Sequence, residues 1–312
     1  MNSPSQSGED RPTAAAMERR AFLAGSAAAC MLATRPAARA NAADESKPFK
    51  KAVKIGMVRT GGTILDKFRV LKELGFDGVE LDAPSELDAE EVLAARDSTG
   101  LVIHGVVDSV HWRDTLSDED AAVRSRGREG LLAALADAKR YGATTVLLVP
   151  AKVDKRVGYA RAYERSQAEI RQALPRAAEL GITICLENVW NNFLLSPMET
   201  ARYIDEFESP WIGAYFDVGN VVAYGWPEDW IRILGPRIKK LDIKEFSRSK
   251  AESDGLRKGF QVELLEGDCD WPAVMAALRE IGYTGWGTAE IPGGDRQRLS
   301  EIAARMDRIF AS

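Results

Sequence analysis

Four acidic residues in the second half of the chain stand in similar settings. Glu187 closes the run ITICLE, Asp217 closes AYFD, Asp242 sits in KKLDIKEF, and Glu290 closes GTAE. Each lies at or near the end of a short apolar run of strand length, where side chains alternate between two faces. Thr183, Cys185 and Glu187 then share one face, as do Tyr215 with Asp217, Lys240 with Asp242 and Lys244, and Trp286 with Thr288 and Glu290. Strands lying side by side would bring the four carboxylates together at one end. Clustered carboxylates repel one another, so either some hold protons or a cation neutralises them. All-oxygen ligation favours a hard divalent ion, Mn²⁺ or Mg²⁺, over Zn²⁺. Taken singly, each acid can equally be a solvated loop residue or an ion-pair partner of Lys240 or Lys244.

The elements that must position these acids alternate along the chain. Strands are expected over 54–58, 78–81, 102–107, 145–149, 183–187, 212–217, 238–244 and 286–290. Helices are expected over 64–74, 88–99, 119–141, 161–180, 196–207, 227–234, 271–281 and 296–310. Gly75, Gly100, Gly142 and Gly181 close helices and feed the next strand, while Ser196 and Asp270 open helices as N-caps. About eight such units in roughly 250 residues predict a single α/β domain, a (β/α)₈ TIM barrel. An open doubly wound sheet would carry a G-x-G-x-x-G phosphate loop after its first strand, and Thr60-Gly61-Gly62-Thr63 lacks that spacing. The barrel is expected over 53–312, preceded by a short linker over 41–52. The longest irregular stretches, 108–118 and 246–266, follow strands and so fall at the end where such barrels build active sites.

The body, roughly 53–310, resembles the xylose-isomerase-like sugar isomerase/epimerase barrels. The resemblance rests on LENVWNN at 186–192, FDVGN at 216–220, LDIKEF at 241–246 and GDCDWPAVMAALREIGYTGWGTAE at 267–290. It implies a divalent metal held by a Glu, an Asp, a His and a Glu from the last four strands. Glu187, Asp217 and Glu290 match, and Asp242 stands at the His position. The resemblance also makes Glu187 and Glu290 both ligands and acid/base groups. One would remove a proton beside a carbonyl, giving an enediolate, and the other would return it. Asn220 stands where some sugar epimerases of the group carry a substrate-binding His.

Three functions follow. The first is a metal-dependent isomerase or epimerase of a non-phosphorylated sugar or keto-sugar. The second is a lyase or hydratase that deprotonates a 3-keto-glycoside at C2 and eliminates the group at C1. The third is an exported, non-catalytic sugar-binding barrel, against which the three matching acids argue. A small carbohydrate is the expected partner in each, and a homo-oligomer stays open.

Further residues are candidates for substrate contact. Lys244 can stabilise an oxyanion or pair with Asp242. His111 and Trp112, in DSVHW, lie on a long loop and can meet a sugar. Trp190 and Trp226 can stack on a ring or pack in the core. Glu80 and Asp82 end the second strand and can bind hydroxyls. His104 is expected to be a satisfied barrel histidine, Arg59 an anion contact or a surface residue, and Cys185 an inert core thiol.

The first 40 residues read as an address. They hold five arginines against three acids, then an apolar run over 21–33, then Ala38-Arg39-Ala40. Arg19-Arg20 followed by Phe22 and Leu23 resembles a twin-arginine signal, with an ordinary secretory signal as the alternative. Cys30 is a weak lipidation candidate. The expected location is therefore periplasmic, and export argues against sugar phosphates as substrates. A net charge of −5 gives no basic footprint for nucleic acid. No apolar run in the body reaches membrane-spanning length. Two His and three Cys exclude a multi-zinc site and a disulfide framework.

Overall fold

The computed structural model describes residues 47–312. The expected signal over 1–40, Cys30 within it, and residues 41–46 of the expected linker lie outside the described residues. Eight parallel strands close into one barrel in chain order, with the first paired to the last. The chain runs β1 (Phe49–Lys54), α1 (Ile64–Glu73), β2 (Gly78–Ala83), α2 (Ala89–Thr99), β3 (Val102–Asp108) and α3 (Ala121–Tyr141). It continues through β4 (Thr145–Leu148), α4 (Tyr159–Leu180), β5 (Thr183–Glu187), α5 (Pro197–Asp205) and β6 (Ile212–Asp217). Then come α6 (Val218–Val222), α7 (Pro227–Leu234), β7 (Ile238–Ile243), α8 (Arg248–Asp254), α9 (Trp271–Glu280), β8 (Gly285–Ala289) and α10 (Arg296–Ala311). Among the described residues no helix is long and apolar enough to cross a membrane.

The expected punctuation builds these elements. Asp88, Asp120, Ser196, Asp270 and Asp295 accept backbone N–H bonds at helix starts. Gly100, Gly142 and Gly181 end α2, α3 and α4 in the left-handed region, where a side chain would be strained. Helices cover the outside of the barrel, so apolar residues such as Val79, Leu81, Val146, Ile184, Phe216 and Leu241 are fully buried or nearly so.

Three local expectations are corrected. The first strand is Phe49–Lys54, not 54–58; residues 55–57 form a 3₁₀ turn, and residues 49–52 are barrel rather than linker. Lys54 is therefore the last residue of a strand, not the first. The stretch 246–266 is not irregular throughout: it holds α8 and a 3₁₀ turn, Leu256–Phe260. A one-turn helix, α6, starts directly after Asp217, whose side chain caps it by accepting from the Asn220 N–H.

The barrel interior beneath the acidic strand ends is polar. His104 stacks on Trp286 at 4.6 Å between ring centres and contacts Lys240 Nζ at 3.3 Å and Thr288 Oγ1 at 3.2 Å. It is the satisfied barrel histidine expected from the sequence. Burial, then the Lys240 charge, holds it well below the usual imidazole range. Burial also lowers Lys240 to about 8 and raises the Cys185 thiol to about 12, leaving Cys185 an inert core thiol.

Candidate active site and metal centre

The register of the late strands sets the acids side by side. Glu187 pairs with Tyr215, Asp217 with Asp242, and Asp242 with Thr288. Glu290 follows β8, and its N–H donates to the Ile243 carbonyl at 3.1 Å. One carboxylate oxygen from each of Glu187, Asp217, Asp242 and Glu290 lies within 4.8 Å of the others. The first three are buried, and the Glu290 side chain is 31% exposed.

Two motifs lock together to hold the first pair. Asn188 Nδ2 donates to the Asp217 carbonyl at 2.8 Å, and the Asp217 N–H donates back to Asn188 Oδ1 at 2.8 Å. Asn220 Nδ2 donates to the Asn188 carbonyl, and Trp190 Nε1 to the Asn220 carbonyl. A Cβ on Gly219 would stand 2.7 Å from the Lys244 carbonyl, so only glycine lets α6 approach β7 this closely. LENVWNN and FDVGN are thus two halves of one hydrogen-bonded brace.

The other two motifs meet at Glu245. Its carboxylate accepts from the N–H groups of Leu265 and Cys269 and from Trp271 Nε1 at 2.8–3.0 Å. A Cβ on Gly267 would fall 2.6 Å from Glu245 Oε1. LDIKEF and GDCDW therefore specify one buried junction that fixes the loop beyond Asp242.

Two lysines answer the four acids. Lys54 Nζ donates to Asp242 Oδ2 at 3.1 Å and Glu290 Oε1 at 3.0 Å. Lys244 Nζ donates to Asp217 Oδ2 at 3.1 Å and Glu290 Oε2 at 3.0 Å. Burial pushes Glu290 upward, but the two ammonium groups outweigh it and hold its carboxyl down at about 2. Glu187 is bonded to neither lysine among the described residues; burial, then the Glu290 charge, pushes it up to about 8 against the pull of Lys54 and Lys244. Burial lifts Asp217 to about 6 against the pull of Lys244, and lifts Asp242 well above the usual range. In the metal-free protein the two glutamates are thus driven in opposite directions, Glu187 upward and Glu290 downward.

The residues fit a divalent cation. With all four carboxyls ionised, the two ammonium groups leave two negative charges, which one such ion would neutralise as it displaces the protons. Asp242 Oδ1 is buried without a hydrogen-bond partner among the described residues, an orphaned acceptor on a member of the cluster. The donors are all oxygen, which suits a hard ion.

A cavity of about 660 Å³ opens over the cluster. Glu187, Glu290, Lys244 and Asn220 line its floor, Trp112, Trp190 and Phe260 its walls, and Lys152 and Arg257 also border it. Trp190 packs on Phe260 at 4.8 Å between ring centres.

Trp112, Trp190 and Lys244 line the cavity, and the expected pairing of Lys244 with Asp242 is corrected: its ammonium bonds to Asp217 and Glu290. Asn220 lines the cavity, but its amide is spent on Asn188. Glu80 is corrected: it lies buried beneath the cluster, beside Lys54 in the register, and does not line the cavity. His111 is also corrected. It is 6% exposed, uses Nδ1 to accept from the Val149 N–H and so holds the loop after β4, and it does not line the cavity. Trp226 is exposed under Arg248, and Asp82 and Arg59 are exposed; none lines the cavity. The sequence reading did not single out Lys54, Asn188, Glu245 or Phe260. The available signals were the amide directly after Glu187, for Asn188, and the second acid of LDIKEF, for Glu245.

Residues 68–309 match the family described as the xylose isomerase-like TIM barrel. The chain belongs to that family. Among curated relatives it is 27% identical over 266 residues to L-ribulose-5-phosphate 3-epimerase UlaE of Salmonella paratyphi C, covering 78% of this chain and 89% of the relative. Solved structures of other proteins share the fold. A D-psicose 3-epimerase from Clostridium cellulolyticum H10, with D-tagatose, aligns with a TM-score of 0.69 at 17% identity, covering 83% of this chain and 98% of that one. The 3-keto-D-glucoside 4-epimerase YcjR from E. coli aligns with a TM-score of 0.69 at 17% identity, covering 85% and 100%.

Proposed function

We propose that this family member is a divalent-metal-dependent sugar epimerase or isomerase working by proton transfer beside a carbonyl on a non-phosphorylated sugar or keto-sugar. One observation carries the reading: Glu187 and Glu290 both belong to one four-carboxylate cluster and both line the cavity above it. The relatives' names support the epimerase part of this reading; the curated relative is named for a sugar phosphate, and the non-phosphorylated substrate proposed here rests on the exported segment read in the sequence.

Glu187, Asp217, Asp242 and Glu290 would hold the ion. Bound there, a divalent cation supplies Lewis-acid polarisation of the substrate carbonyl and its neighbouring hydroxyl. Glu290, ionised, takes the proton from the carbon beside the carbonyl. Glu187, carrying a proton, returns one to that carbon from the other side for epimerisation, or to the neighbouring carbon for isomerisation. Lys244 Nζ, at the cavity floor, offsets negative charge developing on the sugar oxygen. Asn188 and Asn220 keep β5 and β6 in register during the transfer. The wall of Trp190 and Phe260 offers an apolar face to the sugar and excludes water.

The cavity favours a second reading. Its volume falls within the roughly 300–1,000 Å³ that buries a drug-sized ligand, more than one sugar ring needs. A 3-keto-glycoside fits such a space, and the same deprotonation at C2 can expel the group at C1, making the enzyme a lyase. Export through the segment over 1–40 is part of the proposal, and cell fractionation tests it.

The test is metal-stripped protein, reloaded with Mn²⁺ or Mg²⁺, incubated with free ketoses and 3-keto-glucosides and analysed by chromatography. An epimer or isomer that appears only after reloading is the expected product. Released aglycone selects the lyase. Activity unchanged in the metal-stripped protein contradicts both metal-dependent readings.

A further inference from the structure

Lys54 is the charged group closest to the carboxylates that the proton transfer leaves without a task. It ends β1, and the register places it beside Glu80. Its ammonium group bridges two acids from different strands, Asp242 Oδ2 and Glu290 Oε1. Lys244 makes the complementary bridge, between Asp217 and Glu290, and has no bond to Asp242. Lys54 is therefore the single cation bonded to Asp242 among the described residues.

Asp242 needs that cation. It is fully buried, directly across from Asp217 in the register, and within 4.8 Å of three other carboxylates. A buried carboxylate with no counter-charge is strongly disfavoured. With Oδ2 occupied by Lys54, Oδ1 remains buried and unpartnered among the described residues.

We propose that Lys54 and Asp242 form one compound ligand. Lys54 takes Oδ2, cancels the carboxylate's charge and leaves Oδ1 as a single oxygen for the cation, so the pair presents the charge of a neutral ligand. Lys54 is a positioning residue, and the assignment rests on the metal reading above. It has a specific consequence. The side chain that supplies one neutral ligand atom without help is histidine. A histidine at position 242 removes the partner of Lys54 and leaves its ammonium facing a divalent ion. Removing Lys54 alone leaves Asp242 buried and unpaired. Removing both restores the balance.

The experiment titrates Mn²⁺ into wild type, Lys54→Met, Asp242→His and the double variant by calorimetry, alongside thermal unfolding of each metal-free protein. Each single variant should lose at least about tenfold in Mn²⁺ affinity. The double variant should return to within about threefold of wild type, a coupling expected only of residues that act together. Single losses that multiply in the double variant overturn the proposal. So does wild-type affinity in either single variant. Lys54→Gln covers the case in which Lys54→Met fails to fold: it keeps a donor to Asp242 without the charge, and should lose affinity as Lys54→Met does. Wild-type affinity in Lys54→Gln overturns the charge argument. If wild type itself binds no Mn²⁺, the metal reading fails separately. The metal-free unfolding midpoints of Lys54→Met, Asp242→Asn and their double variant then decide the pair alone. A double variant less destabilised than the sum of the singles supports the pairing, and an additive loss overturns it.

Discussion

Asn188 and Asp217 hold each other by two reciprocal bonds of 2.8 Å across the ends of β5 and β6. The bonds use backbone atoms of Asp217 and the side-chain amide of Asn188, so they fix where the Asp217 carboxylate and the adjoining Glu187 stand. Removing the amide leaves a buried N–H and a buried carbonyl without partners. Asn188→Ala should cost about 2–4 kcal/mol in unfolding free energy. It should also weaken Mn²⁺ binding about 10–100-fold, as loss of groups that orient ligands does. Denaturant unfolding and calorimetry check both; an effect on stability alone would separate the brace from the metal site.

Metal binding should depend on pH with a defined sign. Asp217 is raised to about 6 and Asp242 lies well above the usual carboxylate range, so the metal-free protein holds protons there that the ion must displace. A raised folded pKa stabilises the metal-free protein fully below the ordinary carboxylate value and loses that contribution as pH rises through about 6. Mn²⁺ affinity should therefore tighten from pH 5 to pH 7, about tenfold for each proton displaced per pH unit, with proton release seen in buffers of different ionisation enthalpy. Affinity that stays flat over that range contradicts the protonation pattern.

The Glu245 junction should be needed for the fold more than for chemistry. Gly267→Ala forces a Cβ to within 2.6 Å of Glu245 Oε1 and of the Phe246 carbonyl. The expected cost is about 1–3 kcal/mol, the range for overpacked interiors. Thermal unfolding reads it, and a variant as stable as wild type would mean the loop relaxes freely. The metal affinity of the folded fraction should change little.

Much of the site was legible because strand alternation is strict. Once Glu187, Asp217, Asp242 and Glu290 were placed at strand ends, their faces followed, and the cluster within 4.8 Å bears this out. Lys54 was not legible. In FKKAVKIGMV a lysine before an apolar stretch reads as the wet start of a strand, yet the strand begins at Phe49 and Lys54 is its end. The interior accepts the ammonium only because Asp242 and Glu290 wait there, a fact of tertiary structure. Glu80 failed for a related reason. Its strand and face were right, but the register sets it one layer beneath the cavity, which periodicity does not reveal. Helix α8 buries none of its residues, so it carries no apolar stripe for a sequence reading to find.

Glu187→Gln and Glu290→Gln should each retain the fold and lose about 10²–10⁴-fold in turnover, the range for removing a positioned acid or base. Circular dichroism and progress curves check the two halves. Activity within tenfold of wild type in both variants would sink the two-glutamate mechanism.

The most direct test of the central claim is hydrogen exchange followed by NMR. Mn²⁺-loaded protein is freed of excess metal and incubated in D₂O with free ketoses and 3-keto-glucosides. The account predicts deuterium at the carbon beside the carbonyl, with the carbon skeleton and aglycone retained, and loss of that exchange in Glu290→Gln. Exchange that persists undiminished in both Glu187→Gln and Glu290→Gln, or none with any of these sugars by protein shown to hold its metal, would contradict it.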